Sequence, residues 1–324
     1  MSSPGLLYLS RADVERVGLD LSTIIGLLET AFREKGEGRV EVPPKPGIHT
    51  RPDAFLHAMA ASIPASNAAG LKWVGGYPQN PARGLPYVSG LLILNDVDTG
   101  FPIAVMDCTW ITGYRTGAAT ALQARYLARP DSSTVGVLAC GLQGRTNLEA
   151  LATQFPLRRV YAYDTRREVQ DRYVREMAAR LGLEVIGVDE PKQAVTQADL
   201  VVTSGPILKH PRPTIPKDWL REGAFASALD FDSYWTGEAL SQMDRIATDD
   251  HAQLRSYREL GYFRETPEPY ADLGELVTGR RPGRQSPVER TMAMNLGLAL
   301  EDMAVAPEVL RRATAVGLGT RLPL

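Results

Sequence analysis

The sequence contains few lysines, cysteines and histidines. Its 324 residues carry 36 lysines and arginines, of which only six are lysines, together with two cysteines and four histidines. Cys108 and Cys140 form no C-x-x-C pair, and the histidines lack metal-site spacings such as H-x-x-x-H or H-E-x-x-H. We therefore predict a protein of a reducing compartment with no disulfide framework and no metal site. Because lysines are scarce, the position of each one is informative.

The chain also has little net charge and no long apolar run. A formal charge of −2 provides no general attraction to nucleic acid or to an anionic membrane. No segment approaches the ~20 apolar residues that cross a bilayer. The start, Met-Ser-Ser-Pro-Gly, lacks the basic and apolar regions of a signal peptide. We expect a cytoplasmic protein with neither nucleic acid nor membrane as a partner.

The composition is that of a folded protein, with 44% apolar and 23% charged residues, and the length suggests two domains or one domain with a large insertion. Residues 10–35 have the apolar spacing of a helix, and short apolar runs divided by turns continue to about residue 103. From residue 112 onward, strands alternate with helices, which is typical of a parallel sheet, and residues 287–316 again have helical spacing. The sequence therefore predicts a β-rich part followed by an α/β part.

A glycine-containing turn follows the first strand of the α/β part. Residues 134–139 form a predicted buried strand that runs into Gly141 and Gly144 at the start of a helix. This is the context of the dinucleotide-binding pattern G-x-G-x-x-G, in which backbone N–H groups at the helix N-terminus receive a pyrophosphate. The first glycine of the pattern is replaced by Ala139, which can serve only if it tolerates the backbone angle. A tight turn that binds nothing is the alternative.

An acidic residue ends the next predicted strand. Asp164 lies 23 residues after Gly141, where a carboxylate can accept hydrogen bonds from a ribose diol and would repel a 2′-phosphate. The pattern therefore favours NAD(H), while Arg166 and Arg167 leave NADP(H) open. A strand-end cap is the other interpretation of Asp164.

Several segments, in order along nearly the whole chain, resemble the ornithine cyclodeaminase/mu-crystallin family. The segment RTGAATALQARYLARP precedes the glycine turn with Gln143, and the motif GLALED lies near the C-terminus. The matching segments are residues 70–80, 84–88, 94–102, 115–130, 279–284 and 297–302.

The resemblance implies an α/β fold with a Rossmann-type NAD(P)-binding domain and a β-rich domain. Residues 115–298 would form the Rossmann domain, and residues 1–114 with 299–324 would form the domain for substrate binding and dimerisation. The resemblance further implies a homodimeric NAD(P)-dependent oxidoreductase that transfers hydride at the α-carbon of a small anionic amino or imino acid. Two alternatives stay open: an ornithine cyclodeaminase-type lyase, and a non-catalytic binder of NAD(P)H or another small molecule.

The resemblance assigns three cationic positions to the substrate carboxylate. Lys72 lies in an apolar strand, where an unpaired ammonium is costly, and Arg115 can form a two-pronged contact with a carboxylate. Lys45 stands where the family usually has arginine, which keeps the charge but loses the planar fork. The alternative is that these are solvated or salt-bridged cations. His57 falls where cyclodeaminases carry a glutamate, so it either lines the substrate pocket or is a strand histidine bonded to backbone.

Two aspartates compete for the catalytic role that the resemblance implies. Counting from Gly223 places Asp232 at the family position, and Asp230 lies two residues earlier on the same strand face. Two nearby carboxylates could raise one pKa, which suits proton exchange with a substrate nitrogen, whereas Asp230 could instead cap a strand end. We predict catalytic roles for Asp232 and Lys72. The predicted cofactor contacts are Thr116, Gly141, Leu142, Gln143, Gly144, Asp164, Thr165, Arg166, Thr203 and Ser204.

Overall fold

The computed structural model describes residues 5–324 and divides them into two compact units. The first unit comprises the described residues up to Arg115 together with Gly297–Leu324, and the second is Thr116–Leu296. Residues 1–4, on which the expectation about a signal peptide depends, lie outside the described range.

Within this range the strands follow the chain in a fixed order. They are β1 (Gly5–Leu9), β2 (Gly47–Arg51), β3 (Ala54–Ile63), β4 (Ala68–Gly76), β5 (Val88–Asn95), β6 (Pro102–Asp107), β7 (Thr134–Leu138), β8 (Arg159–Tyr163), β9 (Glu184–Gly187), β10 (Leu200–Thr203), β11 (Phe225–Ala228), β12 (Arg245–Thr248), β13 (Ala271–Asp272), β14 (Thr291–Met294) and β15 (Thr320–Pro323).

The helices of the same residues include one, α3, that contains the boundary between the units. They are α1 (Arg11–Val17), α2 (Leu21–Gly36), α3 (Thr109–Leu127), α4 (Leu142–Ala152), α5 (Arg167–Leu181), α6 (Pro191–Thr196), α7 (Gly237–Ser241), α8 (His251–Glu259), α9 (Leu273–Val277) and α10 (Ala299–Ala315). No helix in residues 5–324 is both long and apolar enough to cross a membrane.

The first unit is built on a seven-stranded sheet in the order β15-β1-β6-β5-β4-β3-β2. Strands β2 to β6 form successive antiparallel neighbours, which confirms the prediction of a β-rich first part. The returning helix α10 packs against β3, β4 and α2. On the sheet face that carries Lys72, its register neighbours are Met59 and Leu92, and all three side chains are buried. A charged group therefore lies at the centre of an apolar sheet face.

The second unit is an eight-stranded sheet in the order β13-β12-β14-β11-β10-β7-β8-β9. All of its strand pairs in the described residues are parallel, which confirms the Rossmann-type α/β prediction. The chain proceeds from β7 through β8 to β9 on one side and then returns to place β10 on the other side of β7. In open parallel sheets, ligands bind beyond the carboxyl ends of the strands at such a reversal.

Two sequence predictions about helices were wrong in part. Residues 10–35 form two helices because Gly18 ends α1 in a left-handed conformation (φ +49°) and the Asp20 side chain begins α2 by accepting a hydrogen bond from the Thr23 N–H. Residues 287–316 contain β14 before α10 begins. β14 lies fully buried between β11 and β12, a long-range pairing that helical spacing does not reveal.

Candidate functional site

The turn after β7 has the backbone shape of a phosphate-binding turn. Ala139 adopts a φ of +76°, a left-handed conformation that disfavours residues with a Cβ, and Gly141 is the N-cap of α4. A Cβ on Gly144 would collide with the carbonyl oxygen of Ala139, so glycine allows the helix to pack closely on the turn. A Cβ on Gly141 would meet nothing within 4 Å, so the turn is open where a phosphate would approach.

Asp164, directly after β8, is fastened next to this turn. Its Oδ2 accepts a hydrogen bond from the Cys140 backbone N–H and its Oδ1 accepts one from the Arg166 backbone N–H, both at 2.9 Å. Arg166 Nε lies 3.9 Å from Asp164 Oδ1. Thr165 and Arg166 are exposed. The arrangement holds a carboxylate, with a guanidinium close by, at the carboxyl end of β8.

The carboxyl end of β10 lies beside the turn after β7. The Ser204 backbone N–H donates to the Leu138 carbonyl at 3.0 Å, and its hydroxyl donates to the Ala139 carbonyl at 3.1 Å. Thr203 precedes it and is fully buried. Three strand ends, those of β7, β8 and β10, thus converge around the N-terminus of α4, which fits a dinucleotide with its pyrophosphate on the helix and its ribose at Asp164.

The remaining predicted cofactor residues lie on α3 and in the first turn of α4. Leu142 is exposed and Gln143 is half-buried at the start of α4. Gln143 Oε1 lies 3.4 Å from both Thr146 Oγ1 and Asn147 Nδ2, which donate to it. Thr116 is buried on α3. Their role as cofactor contacts remains a prediction.

The two candidate aspartates follow β11 and have different surroundings. Asp230 is fully buried; its Oδ1 accepts from the Thr203 hydroxyl at 2.9 Å and its Oδ2 from the Gly205 N–H at 3.2 Å. Asp232 is half-buried, and its Oδ2 accepts from the Thr266 hydroxyl at 3.3 Å. Phe231 between them has a φ of +63°, and such strained positions are frequent at functional sites. Asp230 therefore ties strand ends together, and Asp232 is the more accessible carboxylate.

Both carboxyl groups are shifted toward their neutral form. Burial raises the pKa of Asp230 to about 7, against the hydrogen bonds from Thr203 and Gly205 that lower it. Burial also raises the pKa of Asp232, with the Thr266 hydroxyl opposing the shift. A raised carboxyl pKa suits a group that exchanges protons near neutral pH.

Lys72 is the most deeply buried cation of the first unit's sheet. Its ammonium lies 2.6 Å from Asp302 Oδ2 and donates to the Thr112 hydroxyl at 3.4 Å, and both ionic side chains have no exposed area. Burial lowers the pKa of Lys72, the Arg115 charge lowers it further, and Asp302 raises it. The expectation that a buried ammonium needs an anion is met by a protein carboxylate.

Arg115, at the boundary end of the first unit, meets the same acidic pair. Its Nη1 donates to Glu301 Oε2, and its Nε lies 3.4 Å from Asp302 Oδ1. Burial raises the pKa of Glu301, while Arg115 opposes that shift. Gly297 packs on the guanidinium, and a Cβ there would come within 2.9 Å of Arg115 Nη1. The structure thus brings Lys72 and Arg115 to one carboxylate.

The other two predicted substrate residues also belong to the first unit. Lys45 Nζ donates to the Gly297 carbonyl at 3.0 Å. His57 stacks on Phe55 with ring centroids 4.3 Å apart. Burial, followed by the electrostatic effects of Lys45, His49 and Lys72, lowers the pKa of His57 to about 3, so its imidazole is neutral at physiological pH.

Sequence reasoning missed Glu301 and Asp302 as members of this cluster. The motif GLALED was recognised as part of the resemblance, but no role was assigned to its acids. The available signal was the burial argument itself, because a lysine in an apolar strand requires a counter-ion. Two adjacent acids in the first turn of a returning helix were the candidates for it.

One group of potential metal donors occurs in residues 5–324. Donor atoms of His251, Asp272 and Glu275 lie within 4.8 Å of one another. Asp272 and Glu275 exchange the hydrogen bonds of a helix-capping box, and His251 Nε2 lies 3.2 Å from Glu275 Oε2. These contacts explain the positions of the three side chains as the start of α9, and we assign no metal to them.

Comparisons with known proteins agree over nearly the whole chain. The family model described as "Ornithine cyclodeaminase/mu-crystallin family" matches residues 7–316. A nodulation efficiency protein, NfeD, of Rhizobium meliloti is 34% identical over 97% of this chain and 97% of its own length. An alanine dehydrogenase of Archaeoglobus fulgidus is 33% identical over 98% of both chains.

Two solved structures share the fold from end to end. The Δ1-pyrroline-2-carboxylate reductase of Thermococcus litoralis, in complex with NADH and L-proline, is 29% identical with a TM-score of 0.89 and covers 98% of this chain and 100% of its own. An archaeal alanine dehydrogenase dimer with bound NAD is 32% identical with a TM-score of 0.87, over 98% of this chain and 99% of its own.

Proposed function

This chain belongs to the ornithine cyclodeaminase/mu-crystallin family, and we propose that it is a nicotinamide-dependent oxidoreductase of small amino or imino acids. The observation that carries the proposal is the buried pair of cations, Lys72 and Arg115, in the unit that does not contain the dinucleotide-type turn. Asp302 and Glu301 hold these cations at one place, and two cations fixed close together can also receive a small anionic group. The alanine dehydrogenase and the Δ1-pyrroline-2-carboxylate reductase described above are named for substrates that carry an α-carboxylate.

In the proposed reaction the cations hold the substrate carboxylate. The β7–α4 turn would hold the pyrophosphate of the dinucleotide, which when bound would supply or accept hydride at the α-carbon. Lys72 and Arg115 orient that carbon and favour a polarised imine, and such orientation can contribute ~7–11 kcal/mol to lowering the barrier. Lys45 adds a third positive charge.

We assign the proton exchange to Asp232 rather than Asp230. Asp232 is half-buried with one side-chain hydroxyl bonded to it, whereas both oxygens of Asp230 are engaged by Thr203 and Gly205. A group that protonates or deprotonates a substrate nitrogen must be reachable by it.

For the cofactor we propose NAD(H) over NADP(H). Asp164 is held in place by two backbone N–H groups and would stand against a 2′-phosphate. The exposed guanidinium of Arg166 lies close to Asp164 and can pair with a 2′-phosphate, so we expect a smaller activity with NADP(H) as well.

We further propose that the chain forms a homodimer through the outer face of its seven-stranded sheet. Trp73 and Leu91 are register neighbours on the face opposite Lys72 and are 41% and 46% exposed. Tyr8 and Ile103 extend the exposed apolar area on strands of the same sheet. A large exposed apolar face favours association, and the archaeal relative is a dimer.

A spectrophotometric screen tests the proposed activity. NADH and NADPH are offered with 2-oxo acids plus ammonia or methylamine and with preformed cyclic imines, and NAD with amino acids. We expect net change in NADH absorbance with at least one small carboxylate substrate. Release of ammonia with a cyclic amino acid and no net NADH change would establish the lyase instead. Binding of NADH without turnover of any compound would favour a binding protein.

A further inference from the structure

A single carboxylate is shared by the two buried cations of the first unit. One oxygen of Asp302 lies 2.6 Å from the Lys72 ammonium, and the other lies 3.4 Å from Arg115 Nε. The exposed fractions of the three side chains are 0%, 0% and 6%. Water therefore has little access to this carboxylate, which both cations keep as a partner.

The charges around this carboxylate explain why it is needed. Burial and the neighbouring Arg115 both lower the pKa of Lys72, and Asp302 is the acid that acts against them. Without Asp302, two cations would face each other in a dry interior, where like charges repel strongly. The lysine would then lose its proton first, because an arginine does not deprotonate in proteins.

We propose that Asp302 is a positioning residue that keeps Lys72 charged and aligns it with Arg115, so that both contact one substrate carboxylate. The inference rests on the proposed function and deepens it. Asp302 acts through the two cations and contacts no substrate atom itself.

The neighbouring acid provides an internal comparison. Glu301 contacts Arg115 through Oε2 and accepts from the Leu298 N–H at 3.4 Å through Oε1. Glu301 therefore fixes one cation and the start of α10, whereas Asp302 bridges both cations. Loss of either acid should weaken carboxylate binding, but loss of Asp302, which contacts the Lys72 ammonium directly, should change the protonation of Lys72 more.

The other groups that face this cluster are accounted for. Thr112 on α3 accepts from the Lys72 ammonium and is neutral. Burial raises the pKa of the Cys108 thiol to about 11, against the pull of Lys72, so Cys108 is also neutral at physiological pH. His57, which the charge of Lys72 acts on, is neutral as well because its pKa lies at about 3. Among the described residues, the charged groups cited around Asp302 are thus Lys72, Arg115 and Glu301.

The experiment compares Asp302→Asn with Glu301→Gln and a control on the same helix, Glu308→Gln. Glu308 pairs with Arg311 and Arg312 of its own helix rather than with Lys72 or Arg115. Calorimetric titration of pyruvate and L-proline into the protein loaded with NADH or NAD gives Kd from pH 6 to pH 10. The pH dependence of kcat/KM is measured beside it.

We expect Asp302→Asn to weaken carboxylate binding at least tenfold and to move its loss at high pH downward by one pH unit or more. The pH at which binding is lost moves downward because the Lys72 amine binds the anion only when protonated, and its pKa falls when the acid is removed. Glu301→Gln should weaken binding and move that pH limb less than Asp302→Asn does. Glu308→Gln should match the wild type, and NADH affinity should stay within about twofold in all variants.

If Asp302→Asn does not fold, the double variant Lys72→Met with Asp302→Asn removes both charges. We expect that protein to fold and to lose carboxylate binding, and Asp302→Glu to retain the wild-type pH limb. An unchanged high-pH limb in Asp302→Asn would overturn this inference but not the proposed function. If Asp302→Asn does not fold, a displaced limb in Asp302→Glu would do the same. If the wild type does not bind carboxylates, both this inference and the proposed function are wrong. If it binds them without turnover, only the proposed function is wrong.

Discussion

The Oδ2 atom of Asp164 accepts a hydrogen bond of 2.9 Å from the backbone N–H of Cys140. This hydrogen bond joins the acid at the end of β8 to the turn after β7, so the acid and the glycine turn of the dinucleotide pattern are held in a fixed position relative to each other. A rigid carboxylate discriminates between ribose and a 2′-phosphate more sharply than a mobile one, because it cannot turn away from the wrong ligand.

We predict that Asp164→Ser shifts cofactor preference toward NADPH. The substitution removes the repulsion from a 2′-phosphate and leaves Arg166 to attract it, while the charge-assisted bonds to a ribose are lost. Because such bonds contribute about 1.5–3 kcal/mol, the ratio of kcat/KM for NADH over NADPH should fall roughly tenfold or more. Steady-state kinetics with both cofactors measure it. An unchanged ratio would show that Asp164 does not face the ribose.

We predict that Lys72→Met abolishes turnover and leaves NADH affinity nearly unchanged. Methionine occupies a similar volume in the apolar sheet face but cannot bind the substrate carboxylate, and it leaves Asp302 buried without its ammonium partner. Some loss of thermal stability should accompany the loss of activity. NADH fluorescence titration and the absorbance assay are the two measurements. Wild-type turnover would remove Lys72 from the site.

We predict that Ala139→Gly stabilises the protein. Ala139 holds a φ of +76°, where a Cβ costs about 1–2 kcal/mol and glycine costs little, although glycine adds entropy to the unfolded chain. The net gain should be about 0.5–1 kcal/mol in urea unfolding. Ala179→Gly, on the exposed side of α5, should instead lower stability by about 1 kcal/mol. Equal losses in both variants would contradict the strain argument.

We predict that Asp230 makes the second unit less stable as the pH rises through neutrality. Its pKa is about 7 in the folded protein and 3.8 is the ordinary value, so the folded state binds more protons between these pH values. Stability from this group is therefore present below pH 3.8 and is lost as the pH rises toward 7. Asp230→Asn should flatten the decline of Tm between pH 5 and pH 8, whatever its effect on absolute Tm. Asp232→Asn is the comparison for a less buried carboxylate.

We predict that Leu91→Arg together with Trp73→Glu converts the protein to a monomer. Each substitution places a charge in the apolar face that the proposed dimer buries, where a charge is costly. Sedimentation equilibrium measures the mass. Leu260→Glu, at an exposed apolar residue of the other unit, should leave the mass unchanged. A wild-type monomer at micromolar concentration would refute the dimer proposal directly.

Local patterns predicted the nucleotide-type turn well because the residues that build it are adjacent in sequence. The strand, the glycines and the acid at the next strand end were each visible, and the structure joins them through the Cys140 and Asp164 contact. Strand β14 was missed because its apolar residues are also compatible with a helix, and only its position between β11 and β12 decides the outcome.

The carboxylate partner of Lys72 could not be identified from the sequence. An apolar strand around a lysine indicates that some anion must be near, but periodicity does not say whether it belongs to a ligand or to a distant segment. The answer, Asp302, comes from the packing of α10 on β4. The choice between Asp230 and Asp232 likewise required the hydrogen bonds of Thr203 and Gly205.

The discontinuity of the first unit has a consequence for synthesis on the ribosome. Thr116–Leu296 is one continuous stretch whose synthesis is complete before α10 and β15 are made. Until then the nascent first sheet lacks an edge strand beside β1, and its lysine at residue 72 has no acid opposite it. We therefore expect the parallel-sheet unit to complete its fold before the first unit does. A stop codon just before residue 299 would yield a chain with the parallel-sheet unit and an incomplete first unit, which we expect quality-control proteases to degrade.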